Sequence, residues 1–177
     1  DPNYERENND NSGFDLIAGV KAQGQLNSSD DIDWFYIDTN TDGILNLHFD
    51  SPTDDPYTDY FRVIIEDDYL NVLSSLETGE DGSVFASVES GERYWVGVTS
   101  SNFYHDDGVY GITLNFSNQL GEIETEYNDY FTYADVLSAG QAMSGQLSSK
   151  DDWDVFEITF SDPVSARLDF DAPFESS

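Results

Sequence analysis

The chain has 177 residues, of which 38% are hydrophobic and 15% aromatic, too apolar a composition for a wholly disordered protein. Its 37 Asp and Glu residues stand against 6 Lys and Arg residues, which gives a formal net charge of −31. This charge excludes nucleic acid as a partner, because phosphate binding needs a basic face. No apolar run approaches the roughly 20 residues of a membrane helix, so membrane insertion is not expected.

Short apolar bursts separated by Asp, Asn, Ser and Gly predict an all-β fold. Leu45, Leu47 and Phe49 alternate with polar residues, which indicates a strand with one buried face and one wet face. A series of such strands predicts a two-sheet antiparallel β-sandwich, jelly-roll-like in form. The predicted strands cover residues 21–26, 34–38, 44–49, 61–66, 84–88, 93–99 and 109–116.

Residues 38–43 look like the start of a helix–loop–helix calcium loop. The twelfth position of such a loop would be Phe49 instead of a bidentate Glu, and no helical pattern flanks it. We therefore predict a hairpin turn here, with Gly43 at its tight position.

Two blocks of sequence occur twice. Glu-x-Glu-x-Asn-Asp at residues 5–10 recurs at 124–129, which is 119 residues later. Gly-Gln-Leu followed by Asp-Asp-x-Asp-x-Phe spans residues 24–35 and recurs at 145–156, which is 121 residues later. Such self-similarity indicates tandem modules. We expect a complete β-sandwich at residues 1–118 and the N-terminal half of a second copy at 119–177, with strands at 141–147, 155–160 and 166–170. The chain begins at Asp1 without Met, and we expect it to be part of a longer protein.

The repeated blocks resemble the bacterial pre-peptidase C-terminal (PPC) domain family. The pattern continues with Gly-Glu-Arg-Tyr-Trp-Val at residues 91–96 and Gly-Val-Tyr-Gly-Ile-Thr-Leu at 108–114. The resemblance implies a β-sandwich attached to a secreted peptidase or another exported hydrolase. It also implies kinship with the collagen-binding domains of clostridial collagenases, which bind a pair of calcium ions.

The acidic blocks are candidate calcium sites, since calcium takes about six to eight oxygen ligands. In an extended segment Glu5, Glu7 and Asn9 project to one side. The family's calcium site uses both blocks, so the resemblance implies the ligands Glu5, Glu7, Asn9, Asp10, Asp30 and Asp33, and in the second copy Glu124, Glu126, Asn128, Asp129, Asp151 and Asp154. The alternative is that both blocks are solvated loops of a very acidic protein.

Catalysis finds little support in the sequence, which has 2 His residues and lacks both Gly-x-Ser-x-Gly and His-Glu-x-x-His. We expect a non-catalytic, calcium-binding accessory module, secreted or at the cell surface, that serves stabilisation, spacing or substrate contact beside adjacent domains. The alternatives are a repeat unit of a cell-surface adhesin and a module that binds collagen or another extracellular polymer such as a polysaccharide. Tyr94 and Trp95 are the candidate ligand-binding residues, and one of them is expected to point outward.

Overall fold

The computed structural model describes residues 3–5, 13–101, 104, 106–117, 124, 128–145, 147 and 153–170. All the regular secondary structure in these residues is β-strand, which confirms the all-β prediction. None of them forms a helix long and apolar enough to cross a membrane. The strands are β1 (Phe14–Asp15), β2 (Lys21–Gly24), β3 (Ile32–Asp38), β4 (Gly43–Asp50), β5 (Phe61–Asp67), β6 (Val72–Thr78), β7 (Gly82–Val88), β8 (Arg93–Ser100), β9 (Tyr110–Ser117), β10 (Asp135–Val136) and β11 (Phe156–Glu157).

The strands up to β9 form two sheets that face each other as a sandwich, as predicted. One sheet has five strands in the order β1-β3-β8-β5-β6, and the other has four in the order β2-β9-β4-β7. All neighbouring strands in these sheets are antiparallel except β1 and β3, which run parallel.

The hydrophobic core lies between the two sheets. Leu45, Leu47 and Phe49 are fully buried, so the period of two on β4 identified its core face correctly. Phe49 packs against Phe61 and Tyr110, with ring centroids 5.2 Å and 5.7 Å away. Aromatic rings thus join the two sheets at this level of the core.

The hairpin predicted at residues 38–43 is wrong, because β3 and β4 belong to different sheets and this segment crosses between them. Asp38 forms two hydrogen bonds with the Arg93 guanidinium, at 2.7 Å and 2.8 Å, and these hold the pKa of Asp38 below its usual value. Asp42 Oδ1 accepts the Ser90 backbone N–H at 2.8 Å. Both acids therefore have structural roles in the crossing.

Strand β6 was not predicted, since its sequence Val-Leu-Ser-Ser-Leu-Glu-Thr does not alternate cleanly. It pairs with β5 at the edge of the five-stranded sheet. The turn before it contains Leu70 with φ of 66°, a left-handed conformation that is uncommon for a residue with a side chain.

The described residues from Glu124 onward, the second part of the chain, repeat several backbone contacts of the first part, residues 3–117. The repeated contacts lie 121 residues later in the sequence. Phe14 pairs with Phe35 in a parallel bridge, and Asp135 pairs with Phe156 in the same way. The correspondence extends to the hydrogen bonds Leu16 N–H to Tyr36 O and Leu137 N–H to Glu157 O, at 2.8 Å and 3.0 Å, and to positive φ at Gly19 and Gly140.

The strands predicted in the second part are only partly present. Of residues 155–160, Phe156–Glu157 form strand β11, and residues 166–170 form no strand. In the predicted strand 141–147 only Ser144 makes a bridge among the described residues. Large side chains here, including Trp153, Leu168 and Phe170, are exposed, so the strand propensity is present without a packed face beneath it.

Candidate metal centre

The first candidate centre lies where the leader before β1 meets strands β2 and β3. The Glu5 backbone N–H donates to Gln23 O on β2 at 2.8 Å, which fixes the leader along that strand. Asp33 is on β3 and points inward, on the same side as the core residue Phe35. The Glu5 and Asp33 side chains are 4% and 0% exposed, although they are charged groups.

Tyr110 on β9 meets both acids. Its hydroxyl donates a hydrogen bond of 2.5 Å to Asp33 Oδ2 inside the protein. Burial raises the pKa of Tyr110 well above its usual range, and the charges of Asp33, Glu5 and Asp31 raise it further. The phenol therefore stays protonated and remains a donor to Asp33 throughout the physiological pH range.

Gly24 allows this close approach. A Cβ atom at Gly24 would lie 2.2 Å from the Tyr110 hydroxyl oxygen and 3.0 Å from Glu5 Cγ. The register pairs Gly24 with Tyr110 across β2 and β9, so the two side chains cross over the glycine backbone. The Gly of the Gly-x-Leu block thus has a steric function at the site.

The loop before β3 contributes acids of two kinds. Asp31 Oδ2 accepts the Asn27 backbone N–H at 2.7 Å, and its charge acts on Tyr110. The Asp30 side chain is exposed, and its backbone N–H donates to Ser28 Oγ at 3.2 Å. Asp33 therefore lies inside the centre, and Asp30 lies on the loop above it.

The second candidate centre is built around Glu124 and Asn128, which are 4% and 0% exposed. Asn128 Nδ2 donates to Glu124 Oε2 at 3.2 Å and to Asp135 Oδ2 at 3.1 Å. Asn128 Oδ1 is buried and accepts no hydrogen bond within the described part of the chain. A buried amide oxygen on a side chain that also contacts two carboxylates is a ligand that calcium would take.

The structure also describes Asp129, Gly145 and Asp154 of the recurring blocks. Asp129 Oδ1 accepts the Trp153 backbone N–H at 3.2 Å, and Asp154 Oδ1 is buried. A Cβ atom at Gly145 would lie 2.7 Å from Glu124 Oε2, so Gly145 lies under Glu124 as Gly24 lies under Glu5. The predicted ligands Glu7, Asn9, Asp10, Glu126 and Asp151 lie outside the described residues.

The donor atoms in both centres fit calcium. Glu5 Oε1 and Asp33 Oδ1 are buried oxygens on side chains that meet at one phenol, and the second centre adds carboxylate and amide oxygens. Calcium prefers such oxygen ligands, and its two positive charges would offset the cost of burying carboxylates. Glu5 and Asp33 would hold the ion in the first centre, and Glu124, Asn128 and Asp154 in the second.

Sequence reasoning missed Tyr110 and Asp135 as site residues. The sequence placed Tyr110 only within a predicted strand at residues 109–116, yet a buried Tyr hydroxyl needs a partner, and that need points to a nearby polar group. Asp135 stands where the first part has Phe14, so the repeat itself gave no signal for an acid there.

The candidate ligand-binding aromatics point in opposite directions, as the alternation on β8 predicted. Tyr94 is buried, and its hydroxyl accepts the Glu89 backbone N–H at 2.7 Å. Trp95 lies on the outer face of the five-stranded sheet and donates from Nε1 to Asp68 Oδ1 at 3.2 Å. Tyr94 is thus a packing residue, and Trp95 is the one available for contact with a ligand.

No family model matches the chain, and no curated protein matches it. Among solved structures, the chain is similar to the pre-peptidase C-terminal domain of collagenase from Bacillus anthracis. The identity is 13% and the TM-score 0.47, with 59% of this chain and 95% of that one covered. Residue roles in this chain rest on its own contacts.

Proposed function

We propose that this protein is a non-catalytic accessory module of a secreted hydrolase and that calcium stabilises it. The proposed class of the parent hydrolase is a peptidase. The proposal includes two PPC-like copies, at residues 1–118 and from 119 onward, each with its own calcium site. The module would act by stabilisation, spacing or contact with substrate, outside the cell or at its surface.

The observation that carries the proposal is the burial of Glu5 and Asp33 around the Tyr110 hydroxyl. In a solvating acidic coat the carboxylates would stay in water, where they carry no desolvation penalty. These two acids come from separate sequence blocks and meet inside the protein, in a chain of net charge −31. A bound divalent cation gives a physical reason for that placement.

The recurrence of the arrangement supports the same proposal. The Glu5 N–H bond to Gln23 O has its counterpart in Glu124 N–H to Ser144 O, at 3.0 Å. Each Glu packs over the Gly of its own Gly-x-Leu block. Solvated loops have no requirement for this shared geometry.

A module that binds collagen or another extracellular polymer is the second candidate. Trp95 on the outer sheet face packs edge-on against Trp34, with ring centroids 6.5 Å apart, and lies 5.7 Å from Tyr36. The Arg93 guanidinium stacks over Tyr36 at 4.2 Å from the ring centroid. Such half-exposed aromatics with a cation form a surface that polymers with apolar faces can contact.

Thermal unfolding in calcium and in chelator tests the first proposal. Extracellular calcium modules bind at about 10⁻⁴–10⁻³ M, so millimolar calcium should raise the melting temperature clearly. Magnesium at equal ionic strength is the control, since Mg²⁺ requires near-ideal octahedral geometry and gives up its water ligands slowly. Equal melting temperatures in calcium and chelator would refute calcium stabilisation. Pull-down on insoluble collagen or polysaccharide, with Trp95→Ala as the comparison, tests the second.

A further inference from the structure

A different cluster of side chains, each of a type that can ligate a metal, lies on the outer face of the four-stranded sheet. His48 and Asp50 alternate with the buried Phe49 on β4, so both project outward. Asp81 directly precedes β7, and the pairing of Phe49 with Gly82 places it beside Asp50. One potential ligand atom of each of His48, Asp50 and Asp81 lies within 4.8 Å of the other two.

The His48 ring is already oriented for binding through one nitrogen. Its Nδ1 lies 3.1 Å from Ser83 Oγ, the side chain directly across the ladder on β7. Its Nε2 faces Asp50 Oδ1 at 3.7 Å. A hydrogen bond on one imidazole nitrogen fixes the ring and leaves the other nitrogen for a metal, which is the usual arrangement around metal-binding His.

The two carboxylates are anchored in the same manner. The Ser51 backbone N–H donates to Asp81 Oδ1 at 2.8 Å, and Lys21 Nζ lies 3.1 Å from Asp50 Oδ2. Each acid thus has one oxygen engaged by a neighbour. Like charges opposite each other on neighbouring strands destabilise a sheet, and Lys21 offsets only part of that repulsion.

We propose that His48, Asp50 and Asp81 bind a divalent transition-metal ion, of which Zn²⁺ is the representative. An imidazole nitrogen with two carboxylate oxygens is a donor set that Zn²⁺, Mn²⁺, Co²⁺ and Ni²⁺ accept, whereas calcium prefers oxygen alone. Water would complete the coordination. This site differs from the proposed calcium centres in its ligand chemistry and in its place, on the outer face of the four-stranded sheet at the β4–β7 edge.

The surroundings give such an ion a route of entry. Strand β7 is the edge of its sheet, so Asp81 and Ser83 lie next to solvent. Asp81 also borders an open depression of about 470 Å³ lined by Ser51, Pro52, Thr53, Asp54, Glu80 and Asp81. The acids of this rim raise the local concentration of cations.

Calorimetric titration with zinc chloride, with calcium in large excess to occupy the proposed oxygen sites, tests the proposal. The chain should show saturable zinc binding, and His48→Gln and Asp81→Asn should each weaken it by at least about tenfold. NMR of the imidazole nitrogens should show the His48 Nε2 signal moving on zinc addition, because metal binding changes that nitrogen directly.

His105→Gln is the matched control, because it removes the chain's other imidazole and should leave zinc affinity unchanged. Equal zinc affinity in His48→Gln, Asp81→Asn and the unchanged chain would overturn the proposal. So would the absence of saturable binding below millimolar zinc. Both variants change half-exposed or exposed side chains, and circular dichroism in the same buffer would confirm that they are folded.

Discussion

Phe35 and Phe156 hold equivalent positions 121 residues apart, each in a parallel bridge that follows an acidic block. Phe35 is fully buried between two sheets, whereas Phe156 is 39% exposed. The bridge and the packing of each Glu over its Gly therefore form in both surroundings. Burial of the aromatic ring depends on the core between the two sheets, to which Phe35 belongs.

The two centres also differ in one neighbour. Phe14 packs edge-on against Phe35 with ring centroids 6.3 Å apart, while Asp135 in the same place accepts a hydrogen bond from Asn128. The first centre therefore has an apolar wall where the second has an additional carboxylate. The two parts of the chain thus share these backbone contacts and differ in the charge beside the corresponding centre.

The largest expected effect separates the two aromatic positions. Phe35→Ala should lower the free energy of unfolding by about 3–5 kcal/mol, because it leaves a cavity in the core. Phe156→Ala should change it by no more than about 0.5 kcal/mol, as is usual for an exposed side chain. Urea unfolding followed by far-ultraviolet circular dichroism measures both. Similar decreases in the free energy of unfolding for the two variants would show that Phe156 is packed in solution. The contrast between a buried Phe35 and an exposed Phe156 would then be wrong.

The next effect tests the first candidate calcium centre. Asp33→Asn keeps the shape of the side chain and an acceptor for Tyr110 but removes the charge, so calcium stabilisation at this centre should be lost. That loss is about 2.7 kcal/mol at roughly a hundredfold calcium excess over the dissociation constant. Asp42→Asn is the matched control, since Asp42 accepts the Ser90 backbone N–H in the crossing, away from this centre.

Melting of both variants, with calcium and with chelator, gives the measurement. Asp30→Ala should have a smaller effect than Asp33→Asn, because Asp30 is exposed on the loop. A full calcium response in Asp33→Asn would exclude this residue as a ligand. A calcium deficit in Asp42→Asn would instead restore the loop interpretation of residues 38–43.

The sequence predicted what depends on local pattern. The alternation on β4 placed Leu47 and Phe49 in the core correctly, and the sandwich class followed from repeated short strands. It could not predict that residues 38–43 cross between sheets, because turn residues do not report which sheet the next strand joins. Strand β6 was missed, since a sheet edge tolerates a polar, irregular pattern.

The candidate sites also combine residues that a local sequence motif reveals with residues that only the folded structure brings together. The acidic blocks were visible as repeated motifs, whereas Tyr110 on β9 reaches Asp33 on β3 across the space between the two sheets. The group of His48, Asp50 and Asp81 likewise depends on the β4–β7 register and has no motif. Long-range strand pairing and sheet packing determine these contacts, and a single sequence does not show which strands meet.

A smaller effect concerns alkaline pH and the first centre. The folded pKa of Tyr110 is raised, while an unfolded Tyr loses its proton near about pH 10. Above that pH the unfolded chain binds fewer protons than the folded one, so stability should fall by about 1.4 kcal/mol per pH unit from this residue. Below about pH 10 the contribution of protonated Tyr110 to the free energy of unfolding is fully present.

Tyr110→Phe removes this contribution, and its free energy of unfolding should fall less steeply between about pH 10 and pH 11. Tyr57→Phe, at a side chain that is 94% exposed, should keep the slope of the unchanged protein. Urea unfolding at a series of pH values in chelator gives the slopes. The same slope in Tyr110→Phe as in the unchanged protein would show that the phenol is not held protonated by the fold.

The smallest effect lies at the joint between the two parts. Ser87 Oγ on β7 donates to the Glu124 backbone carbonyl at 2.9 Å, so the leader of the second centre is held against the first sandwich. Ser87→Ala should remove about 0.5–1.5 kcal/mol from this attachment and leave the core intact. Hydrogen exchange in a peptide spanning residues 128–145 should then speed up by roughly two- to tenfold.

Ser90→Ala is the matched control, since Ser90 Oγ also donates to a backbone carbonyl, Asn40 O, but within the first sandwich. If calcium fastens the leader through the Glu124 side chain, added calcium should slow exchange there in both variants. Unchanged exchange in Ser87→Ala would mean that the leader is held by its own part of the chain alone, and the two parts would then be independent units.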